Sequence, residues 1–182
     1  MLWSGWEGDE NHAQNIYIAK LQNPWTLDGS RIKISTPEFY WETIGAPPTV
    51  NEGPVGLISP QGRLFVTYSA SGCWTDSYAL GLLSLKDGGN PLNAGDWQKT
   101  NTTVFSQNPN GGAFGTGHNG FFKSPDGTED WIIYHANPKA AQACETFRSP
   151  RIQKFIWNVD GTPYFGPAVA IDAPIQKPSG EQ

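Results

Sequence analysis

SPQGRLFVTYSA (59–70) returns as SPDGTEDWIIYHA (124–136): a Ser-Pro-x-Gly turn, then an apolar run that ends in Tyr and a small residue. Tyr68 and Tyr134 stand 134 − 68 = 66 positions apart. An offset of 65, one shorter, backward from Tyr68 reaches Trp3, where MLWSGW (1–6) reads as the tail of one more such strand. A second alternating run follows each tail: NIYIAKL (15–21), YALGLLSL (78–85) and RIQKFIW (151–157). NPWTL (23–27), NPLNAGDW (90–97) and NVDGTPYF (158–165) then read as turns. A unit of roughly 65 residues carrying several short strands therefore recurs about three times, which fits blades of a β-propeller better than a sandwich. A single such blade cannot bury both faces of its sheet. Closed propellers need at least four blades, so the expectation is an all-β, partial propeller domain over 1–170, cut in mid-strand at Met1. The stretch IDAPIQKPSGEQ (171–182) reads as a tail. No helix-period stretch with caps is found.

Composition narrows the function. The charge is 12 − 17 = −5 with only 16% charged residues, so no basic stripe exists to follow phosphates or anionic lipid, and neither nucleic acid nor a membrane surface is an expected partner. Eight Trp and six Tyr suit sugar faces. No apolar run reaches the length of a membrane span, and MLWSGWEGDENH has no signal-peptide pattern, so the chain as written has no export address. Cys73 and Cys144 allow one disulfide or two free thiols. Asn101-Thr102-Thr103 is a glycosylation sequon, relevant only to a secreted chain.

One carboxylate stands out. PTVNEGPVGL (48–57) places Glu52 before Gly53-Pro54 at the start of an innermost strand, where side chains of different blades converge on the channel. Glycoside cleavage needs a protonated carboxyl beside the leaving oxygen and a second carboxylate across the sugar. Burial among aromatic walls is the usual way to keep such an acid protonated.

VNEGP (50–54), YSASGCW (68–74), GTGHNGFFKSPDGTEDWIIYHA (115–136) and FRSPRIQKF (147–155), in this order, resemble the C-terminal half of glycoside hydrolase family 43. Its members are five-bladed propellers, among them arabinofuranosidases, xylosidases and endo-arabinanases. The resemblance runs from Trp3 to about Val169, and the ASGCW and FRSPR variants resemble those of secreted fungal members. It implies an inverting glycosidase acting on arabinose- and xylose-containing cell-wall polysaccharide. An exo-acting α-L-arabinofuranosidase is the leading expectation, with β-xylosidase or endo-arabinanase specificity as alternatives.

By resemblance Glu52 is the general acid and Arg148 hydrogen-bonds sugar hydroxyls, for which a planar fork of donors is suited. His118 faces the central channel, where relatives hold calcium or water. Cys73 and Trp74 line the sugar pocket, and Trp41 lies close upstream of the acid. No cofactor is required, a calcium ion at the propeller centre is an option that the resemblance leaves open, the expected partner is an oligo- or polysaccharide, and a monomer is expected. The intact family member is extracellular. The family's aspartate base and the aspartate that orients the acid both fall before Met1, so the chain by itself is expected to be nearly inactive. A sugar-binding remnant is the alternative from another class. A third outcome is a chain that fails to fold because its strand edges are open.

The remaining candidates carry structural expectations. Asp126 belongs to the Ser-Pro-Asp-Gly turn and Asp130 follows it, so both read as structural, and Asp76 is a loop residue without a matching motif. His135 reads as strand packing. Arg151 reads as pairing with a carboxylate or covering a strand edge. Trp3, Trp6, Trp131 and Trp157 read as core or inter-blade packing. Three histidines and two cysteines show no zinc-ligand spacing.

Overall fold

The computed structural model describes residues 1–182 as eleven strands, three short 3-10 turns and no α-helix. Three antiparallel meanders follow one another along the chain. The first holds β1 (Leu2–Gly5), β2 (Ala13–Asn23) and β3 (Thr26–Ser35). The second holds β4 (Thr49–Ile58), β5 (Leu64–Ala70), β6 (Ala79–Leu85) and β7 (Trp97–Lys99). A short parallel pairing, Ala13 with Thr49 and Gln14 with Val50, joins these two into one seven-stranded sheet. The third is a separate four-stranded sheet of β8 (Phe114–Lys123), β9 (Asp130–Asn137), β10 (Ser149–Trp157) and β11 (Pro163–Tyr164).

The Ser-Pro-x-Gly repeat is one device used twice. Gly62 and Gly127 both take positive φ, 82° and 74°, and their N–H groups donate to the carbonyls of Ser59 and Ser124. Each buried serine oxygen then accepts the N–H that opens the following strand, from Arg63 or Glu129. The turn demands a left-handed backbone at these positions, which a residue with a β-carbon adopts only at a cost.

Strand alternation explains why the meanders must stack. On β5, Phe65 joins a core formed with Leu80, Ile132, Tyr134, Phe155 and Phe165, between the second and third meanders. Its neighbours Val66, Tyr68 and Ala70 point the other way, into a core with Ile16, Ile34, Leu83 and Trp97, between the first and second. Successive side chains of a strand face opposite sides. The middle meander is therefore apolar on both faces and is covered on both. On β9 only one face is covered in this way: Ile132 is buried, while Ile133 is 40% exposed.

The packing tryptophans divide. Trp3 stacks on Tyr17, Trp131 on Phe122, and Trp157 tilts against Phe65. Trp6 departs from expectation, because β1 ends at Gly5 and its ring is 40% exposed. Arg151 is buried, but it donates to the carbonyls of Val169 and Gly112 rather than to a carboxylate. Residues 171–182 form no strand, yet they pack back on the third meander: Pro178 is buried and Ser179 bonds Asp126 and Glu129.

Candidate active site

Glu52 is set by an irregularity in β4. Its register partner is Ser69, and the next pairing joins Val55 to Thr67, so β4 spends an extra residue between them. Gly53 absorbs that residue at φ 55°. Such bulges re-aim a side chain at a strand end. The residue before Glu52 is anchored from behind. Buried Asn51 donates to Glu42 Oε1 at 3.0 Å and accepts from Ser35 Oγ at 2.6 Å.

β8 repeats the device. Pairings of Phe114 with Asn137, Gly117 with His135 and Gly120 with Ile133 leave two bulges, with Gly115 at φ 54° and His118 at φ 51°. A non-glycine residue with positive φ is uncommon, and histidine tolerates it better than most. The backbone N–H of His118 donates to Ser69 Oγ at 2.8 Å, which ties the second bulge to the strand that faces Glu52.

Between the two bulges lies Tyr78, only 1% exposed. Its hydroxyl donates to Glu52 Oε1 at 2.7 Å and stands 3.2 Å from His118 Nδ1. The Glu52 carboxylate and the His118 ring are 4.0 Å apart, with the imidazole facing solvent more than the carboxylate does. Tyr78 also stacks on His135, ring centres 5.6 Å apart and planes 11° apart. Arg148 Nη1 donates to His135 Nε2 at 3.2 Å, and Arg148 Nη2 donates to the Cys144 carbonyl at 3.1 Å. Glu52, Tyr78, His118, His135 and Arg148 thus form one continuous series of contacts drawn from three strands and two loops of the second and third meanders.

His135 lies on β9 and packs on Tyr78, as its strand position predicts, and it also meets Arg148. Burial, reinforced by the charges of Arg148 and His118, pushes its pKa down to about 4. The ring is therefore neutral at physiological pH and can accept the Arg148 N–H through Nε2. Burial, and then the Glu52 charge, push the Tyr78 phenol well above its usual range, so it stays protonated.

Cys73 and Cys144 are joined in a disulfide that bridges the loops after β5 and β9. The bridge holds Cys144, whose carbonyl orients Arg148. Trp74 follows Cys73 and is 42% exposed; its ring lies over Gly72 and its Nε1 donates to the Gly45 carbonyl at 3.0 Å. Trp41 lines a hollow of about 200 Å³ with Ile44, Asp76 and Ser77, and its buried Nε1 has no partner.

The aspartates are otherwise engaged. Asp76 accepts the N–H of Ala141 and its carbonyl that of Gly115, fixing the loop after β9. Asp126 accepts from Ser124 and Thr128 inside its turn, and Asp130 pairs with Lys123 and Trp157. No group of three or more His, Cys, Asp or Glu side chains converges as a metal site would require. Calcium takes six to eight oxygens, and His118 offers one ring nitrogen beside a single carboxylate. The side chains of this chain alone do not fit that ion.

Sequence reasoning passed over Tyr78, Glu42 and Asn51. Nothing around Tyr78 marks it, since its role arises from where the loop before β6 returns. His135 had a signal, because it occupies the repeat position of Ser69, 135 − 69 = 66 residues on.

The all-β stack of meanders thus brings a bulge-borne glutamate, a buried tyrosine, two histidines and an arginine into one connected series of contacts. Residues 1–163 match the family described as "Glycosyl hydrolases family 43", and the chain belongs to that family. Among curated relatives, the extracellular exo-α-(1→5)-L-arabinofuranosidase of Streptomyces avermitilis is 40% identical over 175 residues, 93% of this chain and 35% of the relative. α-L-Arabinofuranosidase 43 of Humicola insolens is 38% identical over 91% of this chain and 35% of its own length. The crystal structure of α-L-arabinofuranosidase from Lactobacillus brevis superposes with a TM-score of 0.85 at 36% identity, covering 95% of this chain and 53% of that one. The chain thus spans about a third of the length of these curated relatives and about half of that structure. No helix is long and apolar enough to cross a membrane.

Proposed function

We propose that these residues form the acid half of an inverting, exo-acting α-L-arabinofuranosidase site, with the three meanders as consecutive blades of a five-bladed propeller. Glu52 gives its proton to the departing glycosidic oxygen, while a second carboxylate, not among Asp76, Asp126 and Asp130, activates water on the opposite face of the sugar. Arg148 meets vicinal sugar hydroxyls, its fork pre-set by neutral His135 and the Cys144 carbonyl. Trp74, beside the disulfide, offers an aromatic face to a sugar ring. The substrate is an arabinose-bearing cell-wall oligo- or polysaccharide, taken by a monomer working outside the cell. Two observations support this placement: relatives at about 40% identity carry the extracellular name, and a disulfide suits an oxidising compartment.

The observation that carries the reading is the bulge at Glu52–Gly53, which turns a lone carboxylate toward His118 and Tyr78. Glu52→Gln is the test, in the protein at its full natural length. With a poor leaving group, such as an arabino-oligosaccharide, hydrolysis should fall by about 10²–10⁴-fold. With a dinitrophenyl arabinofuranoside, whose leaving group needs no proton, the loss should be much smaller. Equal losses on both substrates would exclude general-acid catalysis by Glu52.

One observation favours a second reading, a sugar-binding module without turnover: every aspartate considered for the second carboxylate is tied into a turn, a loop or an ion pair. Arabinose oligomers would then bind with an affinity that Glu52→Gln leaves unchanged, and none would be cleaved.

A further inference from the structure

A phenol has one proton to give. The Tyr78 oxygen stands 2.7 Å from Glu52 Oε1 and 3.2 Å from His118 Nδ1, and it is closed off from water. The shorter contact ends on the stronger acceptor, a carboxylate, so the phenol proton goes to Glu52 and the His118 contact is made by an Nδ1–H donating to the phenol oxygen. The His118 backbone is held at φ 51° by the bond to Ser69 Oγ, which sets where its side chain leaves β8.

Tyr78 is equally fixed. Its ring lies against bare Gly117, where a β-carbon would come within 2.5 Å of it, and it stacks on His135 from the other side. Gly53 lets the His118 ring close over the bulge, since a β-carbon there would stand 3.3 Å from the imidazole. The donor therefore approaches Glu52 from one direction only.

We propose that Tyr78 is a positioning residue for the acid: by holding Oε1 as an acceptor it assigns the transferable proton to Oε2, the oxygen left free for the leaving group. This rests on the reading of Glu52 as the general acid. In a protonated carboxyl the oxygen that accepts a strong hydrogen bond is the carbonyl, and the hydrogen sits on the other. As the Oε2–H bond breaks and the proton passes to the glycosidic oxygen, Glu52 becomes an anion. The bond from Tyr78 then becomes charge-assisted and strengthens at the moment it is needed.

The test uses the protein at its full natural length with ¹³C-labelled glutamate. The side-chain carboxyl signal of Glu52 is identified by its loss in Glu52→Gln and is followed through a pH titration. Tyr78→Phe keeps the ring but removes the donor, and should raise the Glu52 midpoint by about one pH unit. A midpoint that stays or falls would overturn the proposal. If Tyr78→Phe does not fold, isotope-edited infrared spectra of the unaltered chain decide. A C=O stretch of protonated Glu52 lower than that of exposed glutamic acid supports the assignment, and a free-carbonyl stretch refutes it. Failure of the underlying reading looks different: the Glu52 midpoint still moves in Tyr78→Phe, but Glu52→Gln hydrolyses oligosaccharide as fast as the unaltered protein.

Discussion

Replacing Lys99 by Met should unbalance the most deeply buried charge in the fold. Glu42 is fully buried, and Lys99 Nζ lies 2.9 Å from its Oε1 and 3.0 Å from its Oε2. The remaining donors are neutral: the N–H groups of Glu38 and Phe39 to Oε2, and Tyr68 OH and Asn51 Nδ2 to Oε1. Burial by itself would push the Glu42 pKa up, but the backbone bonds from Phe39 and Glu38 and the Lys99 ammonium together outweigh it and bring the carboxyl below its ordinary 4.5. Lys99 is the one cation on this carboxylate, and it also meets Glu38 at 3.3 Å. Removing one partner of a buried pair leaves an uncompensated charge and costs about 3–5 kcal/mol. That is a large fraction of the roughly 5–15 kcal/mol that holds a domain folded.

The sign of the pH dependence sharpens this prediction. In the unaltered chain the folded pKa of Glu42 is depressed, so its contribution is present above about 4.5 and is lost as pH falls through the folded value. In Lys99→Met burial dominates and the folded pKa rises above the unfolded one. Stability then increases as the group protonates, so the deficit against the unaltered chain should be largest at pH 7 and shrink toward pH 4. Urea unfolding followed by tryptophan fluorescence at the two pH values measures it. A deficit under about 1 kcal/mol at pH 7, or one that does not narrow on acidification, would show that the neutral donors alone compensate Glu42 and that the ion-pair argument is wrong.

Two other outcomes follow from the site. His135 is held neutral, with a pKa near 4 against an ordinary 6.5, so the unfolded chain binds its proton first. Roughly 3 kcal/mol of stability present above pH 6.5 should drain away as pH falls toward 4, and His135→Gln should flatten that part of the unfolding profile. The Cys73–Cys144 bridge closes a span of 71 residues, for which chain entropy predicts about 4 kcal/mol; denaturant curves with and without reductant should differ by that order, and equal curves would remove the bridge from the account of stability.

The fold class was legible because an all-β meander is written locally. Ser-Pro-x-Gly turns and alternating runs are short-range features, and β2, β5, β6, β9 and β10 lie on the runs they mark, whereas β11 falls inside NVDGTPYF (158–165), which reads as a turn. The family motifs likewise marked Glu52, His118 and Arg148, which the structure does bring to one series of contacts. Trp6 was misread because periodicity cannot say where β1 stops, and Arg151 because its partners, the carbonyls of Gly112 and Val169, carry no residue identity.

What the sequence by itself determined, then, is the recurring unit, most of its strands and the prominence of Glu52 as a candidate. Only the tertiary structure decided which groups surround that carboxylate. Tyr78 reaches Glu52 across 78 − 52 = 26 positions, His118 joins from 118 − 52 = 66 away, and Arg148 is set by a carbonyl whose cysteine is bonded to a loop on another meander. These contacts depend on two bulges and on the bare backbone of Gly53 and Gly117. Such features displace side chains by about a residue's width, a distance that no pattern of hydrophobicity records, and they become visible only when neighbouring strands are in register.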